Sequence, residues 1–208
     1  MKPQVDKNVY FSPNYINVRR FGSYATQLSE IMELKPANVL EIGIGNGMVS
    51  YMLKKAGVNI VTLDLDKSLE ADIVASVTKM PLSDNTFDVV ACYEILEHIP
   101  FKNFEIALQE IARVTKRNAL ISIPARERFY KVEFTLPKIG RRGFSFSLPF
   151  LRTPKHHFDG EHYWEIGTRN YPLAKILKIM TSVGFTCRKT YRIWENPYHR
   201  MFVLEKKK

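Results

Sequence analysis

The segment Val39-Leu40-Glu41-Ile42-Gly43-Ile44-Gly45-Asn46-Gly47 constrains this chain more than any other stretch. An apolar run of strand length ends in an acid and then in glycines at alternate positions. Val49, Met52, Leu53 and Ala56 follow at i, i+3, i+4 and i+7, the apolar stripe of a helix. Strand, glycine turn and helix in this order open a nucleotide-binding α/β unit. The missing side chains let a ligand lie against backbone N–H groups near a helix N-terminus.

The glycine spacing narrows the ligand. A dinucleotide fingerprint reads G-x-G-x-x-G, its third glycine permitting close helix–strand packing. Here Gly43, Gly45 and Gly47 read G-x-G-x-G, and Met48 stands where that third glycine would be. No phosphate-binding G-x-x-x-x-G-K-[ST] occurs. A second β-branched run, Asn59 to Asp66, also ends in acids, and Asp64 lies 21 residues after Gly43. That matches the offset of about 20 at which an acid meets ribose hydroxyls, both of which one carboxylate can accept from. Asp66 is expected to cap the following turn, and Leu65 to lie against a base.

Ala71 to Val77 reads as a third strand, Met80 to Thr86 as a turn-rich link and Phe87 to Tyr93 as a fourth strand that runs into Glu94-Ile95-Leu96-Glu97-His98. The E-x-G-x-G-x-G turn, the acid after the second strand, the link ending F-D and the E-x-L-E-H segment, in this order, resemble the class I S-adenosylmethionine (SAM)-dependent methyltransferases of type 11. The resemblance implies SAM as cofactor and S-adenosylhomocysteine as product. It implies cofactor contacts at Glu41, Gly43, Ile44, Gly45, Gly47, Asp64, Leu65, Ser76, Val77 and Tyr93. Ser76 is a departure, standing where the family usually carries an Asp for the adenine amino group, and it leaves the Val77 N–H for a ring nitrogen. Outer blocks at Arg19-Arg20-Phe21, Phe158 to Gly167 and Glu195 to His199 resemble an uncharacterised prokaryotic branch of this subgroup.

At 208 residues the chain fits one domain with a substantial core. The predicted architecture is a Rossmann-like α/β fold: a seven-stranded, mostly parallel sheet with helices on both faces and an antiparallel C-terminal hairpin made of Phe185 to Ile193 and His199 to Glu205. Residues 1–35 would form an N-terminal helical cover in which Tyr15 or Arg19 closes the pocket, and residues 125–168 a cap inserted for substrate choice. Cys92 and Cys187 are far apart and in no ligand spacing, which fits a reduced, cytoplasmic compartment. No signal-peptide core and no transmembrane run of about 18 apolar residues is present.

The expected cap shows no helical or strand period over its length but is rich in aromatics, including Phe129, Tyr130, Phe134, Phe144, Phe146, Phe150 and Phe158. Between Arg113 and Lys155 there are eleven Lys and Arg against only Glu127 and Glu133, which supplies much of the net charge of +10. This stretch is read as a solvated basic face or as a site for an anionic partner, whether RNA, a phosphorylated metabolite or a lipid headgroup; for the chain as a whole a small-molecule acceptor, anionic in one version, is the first reading and RNA the alternative. Oligomeric state is not legible.

Two polar clusters could carry chemistry. Glu94, Glu97 and His98 have i, i+3, i+4 spacing, which predicts one helix face just past a strand. His156, His157, Asp159, Glu161 and His162 crowd together downstream. E-x-x-E-H with a distant His resembles the Mg²⁺ site of small-RNA 2′-O-methyltransferases and of some ubiquinone-pathway O-methyltransferases. There a late His beside E-W or F-E-W completes the set, and His162-Tyr163-Trp164-Glu165 is similar but not identical. The reading adopted needs no metal. It takes His162, His98 and Glu94 as catalytic candidates, with His162 as general base because an imidazole titrates near the working pH. An N-P-P-Y motif for exocyclic base amines is absent after the fourth strand, where Cys92-Tyr93-Glu94 stands. A non-catalytic SAM-binding module is disfavoured because the glycines and Asp64 are all present.

Overall fold

The computed structural model describes residues 4–148 and 153–207; Phe150 of the expected cap lies outside them. Strand β1 (Asn38–Ile42) is flanked in parallel by β2 (Asn59–Asp64) and β4 (Phe87–Tyr93). With β3 (Ile73–Val74), β5 (Thr115–Pro124), β8 (Phe185–Arg192) and β9 (His199–Lys206), the order is β3-β2-β1-β4-β5-β9-β8. Only β9 runs against its neighbours. The expected seven-stranded sheet and its antiparallel C-terminal hairpin are therefore present. The strand order reverses between β1 and β4, and this opens a crevice at their C-terminal ends.

Alternation along the strands feeds two cores. Leu40, Ile42, Val90 and Cys92 point to one face, under α3 (Phe104–Val114) and α4 (Leu173–Ser182). Val39, Val89 and Ala91 point to the other, under α1 (Val18–Glu33) and α2 (Met48–Lys55). A parallel sheet covered on both sides reads in the sequence as continuous apolar runs, which is why these strands were legible there.

Three expectations are corrected. The third strand keeps only Ile73 and Val74, because the Asp72 carboxylate accepts from the Thr62 N–H and hydroxyl and Ser76 turns back toward Lys79. On α2, Ser50 is buried and Met52 is exposed, shifting the inward stripe off the apolar count. The region 125–168 is not one irregular cap. It contains a regular antiparallel hairpin, β6 (Arg128–Leu136) and β7 (Gly140–Leu148), in a separate two-stranded sheet. A return segment follows, held by the fully buried Trp164, which packs edge-on against the stacked pair Phe101 and Phe104 and donates its indole N–H to the Ile99 carbonyl.

Candidate active site

Two adjoining cavities of about 500 and 240 Å³ occupy the crevice and share Val5, Tyr10, Gly43, Asp64, Ile95 and His98 as walls. Their size is that of small-molecule sites. The glycine turn bends because Gly43, Gly45 and Gly47 all adopt positive φ. These glycines have different jobs. A Cβ on Gly43 would come within 2.1 Å of Ile95, so this position is needed for packing. Gly45 has nothing nearer than 3.8 Å and faces open cavity. Gly47 lines neither cavity and instead starts α2 as its left-handed N-cap, while the Asn46 side chain accepts from the Met48 N–H.

Asp64, at the end of β2, accepts from the Ile44 N–H at 2.9 Å and the Asp66 N–H at 2.8 Å, which aims its carboxylate along the cavity wall. Burial raises its pKa against these backbone bonds. Asp66 caps the next turn by accepting from Ser68. Leu65, Ser76 and Val77 line the larger cavity, closed opposite by Phe158 and Tyr163, whose rings stack with centroids 4.5 Å apart. The smaller cavity takes Glu41, Ile44, Gly45 and Tyr93. Glu41 is 4% exposed with Oε2 unpartnered, and burial raises its pKa to about 8. The N-terminal cover reaches this cavity through Tyr10, Tyr15, Tyr24 and Arg20. The residue turned inward is Arg20 rather than the expected Arg19, which is exposed; the Arg20 guanidinium lies 4.2 Å above the Tyr15 ring.

Glu94, Glu97 and His98 do meet, but not on a helix face. The Glu94 N–H still bonds across the sheet to the Ser122 carbonyl, its φ is +54°, and only Leu96–His98 form a single 3-10 turn. A reversal straight off β4 groups them where α-helical spacing was expected to. The return segment then brings His162 to the same place: Tyr163 N–H bonds to the Glu97 carbonyl at 2.9 Å, and the His98 and His162 rings are 5.0 Å apart.

Hydrogen bonds define the imidazoles. His98 Nδ1 faces the Glu161 carbonyl at 3.1 Å, so Nδ1 carries the proton and Nε2 is left as an acceptor. Burial, then His162, pushes its pKa down to about 4. His162 Nδ1 donates to Glu165 at 3.1 Å, which leaves Nε2 as its basic nitrogen. Burial opposes charge on His162, but that bond and the carboxylates of Asp159, Glu165 and Glu94 outweigh it and hold the pKa above the ordinary histidine value. Glu165 also accepts from the Tyr198 hydroxyl. His199, kept neutral by burial with a pKa of about 3, meets the Ser23 hydroxyl at Nδ1 and lies with Nε2 3.2 Å from the Glu94 carboxylate. Burial raises Glu94 to about 7. Arg20, Glu165, Tyr198 and His199 were not singled out from sequence as site residues. Their one signal was that each sits in an outer block distinctive of the branch.

Residues 40–123 match the type 11 family described as a methyltransferase domain. An uncharacterized protein of Methanocaldococcus jannaschii is 30% identical over 53% of this chain and 53% of its own length, so the alignment spans about half of that relative. A ubiquinone biosynthesis O-methyltransferase of Ralstonia nicotianae is 32% identical over 30% of this chain and 32% of its own. The fold is shared with 1,6-didemethyltoxoflavin-N1-methyltransferase of Burkholderia thailandensis, solved with its acceptor and S-adenosylhomocysteine. That likeness has a TM-score of 0.64 at 12% identity and covers 97% of this chain and 85% of the other. Glycine turn, strand order and family match fall on the same residues: residues 40–123 are similar to the type 11 methyltransferase domain, on a fold that a solved methyltransferase shares.

Proposed function

We propose that the protein transfers a methyl group from SAM to a small-molecule acceptor. The observation that carries this reading is the glycine turn and the Asp64 carboxylate facing one cavity at the β1/β4 switch point. The donors and acceptors there suit the cofactor. Asp64 offers a carboxylate for ribose hydroxyls, Val77 a backbone N–H and Leu65 an apolar wall for adenine, and Arg20 a cation for the amino-acid carboxylate. When bound, SAM supplies a methyl group on a positively charged sulfur. The protein's work is then mainly to align an acceptor and exclude water.

His162 is the group best placed to take a proton from the acceptor. Its Nδ1–H is held by Glu165, which leaves Nε2 as the proton acceptor, and the side chain stands with His98 and Glu97 on the wall of the smaller cavity. Arg20 is the one Lys or Arg lining either cavity among the described residues. This supports a neutral small acceptor over RNA, since a polyanion needs several cations along its path. The relatives named above include enzymes that methylate small molecules.

A second reading, that a divalent cation assists, is favoured by one observation. Both carboxylate oxygens of the fully buried Glu97 lack a hydrogen-bond partner, and the ligand atoms of Glu97, His98 and His162 lie within 4.8 Å of one another. Glu97, His98 and His162 would hold the ion, which would acidify an acceptor hydroxyl.

Calorimetry tests the cofactor. Asp64→Ala should weaken SAM by about 1.5–3 kcal/mol, roughly ten- to a hundredfold, and equal affinity in both proteins refutes the assignment. Mass spectrometry of cell extract incubated with labelled SAM, with and without the protein, finds the acceptor. Loss of that transfer in EDTA and its return with Mg²⁺ would select the cation reading; insensitivity to EDTA would select the metal-free one.

A further inference from the structure

We propose that the β6–β7 hairpin is a docking element for an anionic lipid bilayer. The pairing register places Tyr130, Val132, Phe134, Phe144, Phe146 and Leu148 on one face of the hairpin. Each of them is between 44% and 56% exposed, and Ile139 at the tip is 55% exposed. The opposite face carries Phe129 beside the polar Lys131, Glu133, Ser145 and Ser147 and Gly143, and this mostly polar face is the one turned to the body of the protein, where the Arg192 guanidinium lies 5.6 Å from the Phe129 ring centroid. Lys131 donates to the Trp194 carbonyl, the Trp194 indole N–H donates to Glu133, and a Cβ on Gly143 would lie 2.7 Å from the Trp194 ring.

This is the reverse of an ordinary sheet, which buries its apolar face and wets its polar one. Polar contacts with the body turn an aromatic surface toward the outside. A contiguous exposed apolar patch of this kind marks an interaction surface.

Charge selects the occupant. Residues 128–148 carry five Lys and Arg against one acid, and that acid, Glu133, lies on the face turned to the body. By register the apolar face holds no acid, and the segment's cations include Lys138, exposed at the tip. A second copy related by a twofold axis would set these cations against their equivalents. An anionic headgroup layer complements them, while the aromatic and leucine side chains enter the acyl boundary. No helix among the described residues is long and apolar enough to cross a membrane, so attachment would be peripheral. The hairpin leaves the sheet after Pro124, at the strand ends where the cavities open, so a docked bilayer would lie on the side of the site.

Vesicle sedimentation of the full chain tests the proposal. The protein should pellet with phosphatidylcholine vesicles containing phosphatidylglycerol, and bind pure phosphatidylcholine on the order of tenfold more weakly. Raised salt should weaken the binding. The double variant Phe144→Glu/Phe146→Glu alters two exposed side chains and should lose on the order of tenfold in binding, with an unchanged circular-dichroism melt reporting an intact fold. Lys138→Glu, at the solvated tip, should weaken anionic vesicles alone. The proposal is overturned if wild type fails to pellet with anionic vesicles, or if the double variant and Lys138→Glu both pellet as wild type does. It is equally overturned if sedimentation velocity shows a dimer that the double variant dissolves, since a second copy then covers the face.

Discussion

Glu165→Gln is the most informative single change at the site. In the wild type the Glu165 carboxylate accepts from His162 Nδ1 at 3.1 Å and from the Tyr198 hydroxyl. Burial opposes its charge, but these two bonds outweigh that and hold its carboxyl below the usual range. The amide keeps an oxygen for both donors, so geometry should survive while the negative charge is removed. A hydrogen bond to a charged partner is worth about 1.5–3 kcal/mol, and 1.4 kcal/mol is a factor of ten, so His162 should lose proton affinity roughly ten- to a hundredfold. His162 protonation is favoured in the wild type, so the basic form is recovered only as the pH rises above the ordinary histidine range; in the variant it appears at lower pH. Titration of the histidine Cε1–H signals by NMR measures this without knowing the acceptor, and His162→Asn identifies the resonance. His98 should shift the opposite way, because the charge on His162 contributes to its depression. A His162 midpoint in the variant equal to or higher than that of wild type would refute the argument that Glu165 sets this imidazole.

Gly43→Ala should destabilise the fold by about 1–3 kcal/mol, because its Cβ meets Ile95 and its φ is +83°. Gly57→Ala, with open space at a similar φ of +79°, reports backbone strain alone, and equal melting losses in the two would dismiss the steric account. Glu41 titrates at about 8 when folded, so its unfolded form releases a proton from about pH 4.5 while the folded form holds it. Wild-type stability should therefore fall between pH 4.5 and 8 by a few kcal/mol relative to Glu41→Gln, and parallel curves of melting temperature against pH would contradict this.

The sequence by itself determined the layered framework and the glycine turn at the head of the cleft. Continuous apolar strands, a glycine turn with Asp64 behind it and the apolar stripes of α3 and α4 are local patterns, set by backbone sterics and periodic burial, and they can be read within a few residues. The hairpin β6–β7 was missed although Tyr130, Val132, Phe134 and Leu136 alternate, because its apolar face is not a core face and the aromatics suggested a packed cap. Only the tertiary structure decided which of Arg19 and Arg20 turns inward, that Glu94 and Glu97 are grouped by a left-handed residue and a 3-10 turn, and that Glu165 and Tyr198 stand behind His162. These contacts join residues dozens of positions apart. They depend on where Trp164 anchors the return segment against α3, an energy of packing between distant segments that no local pattern encodes.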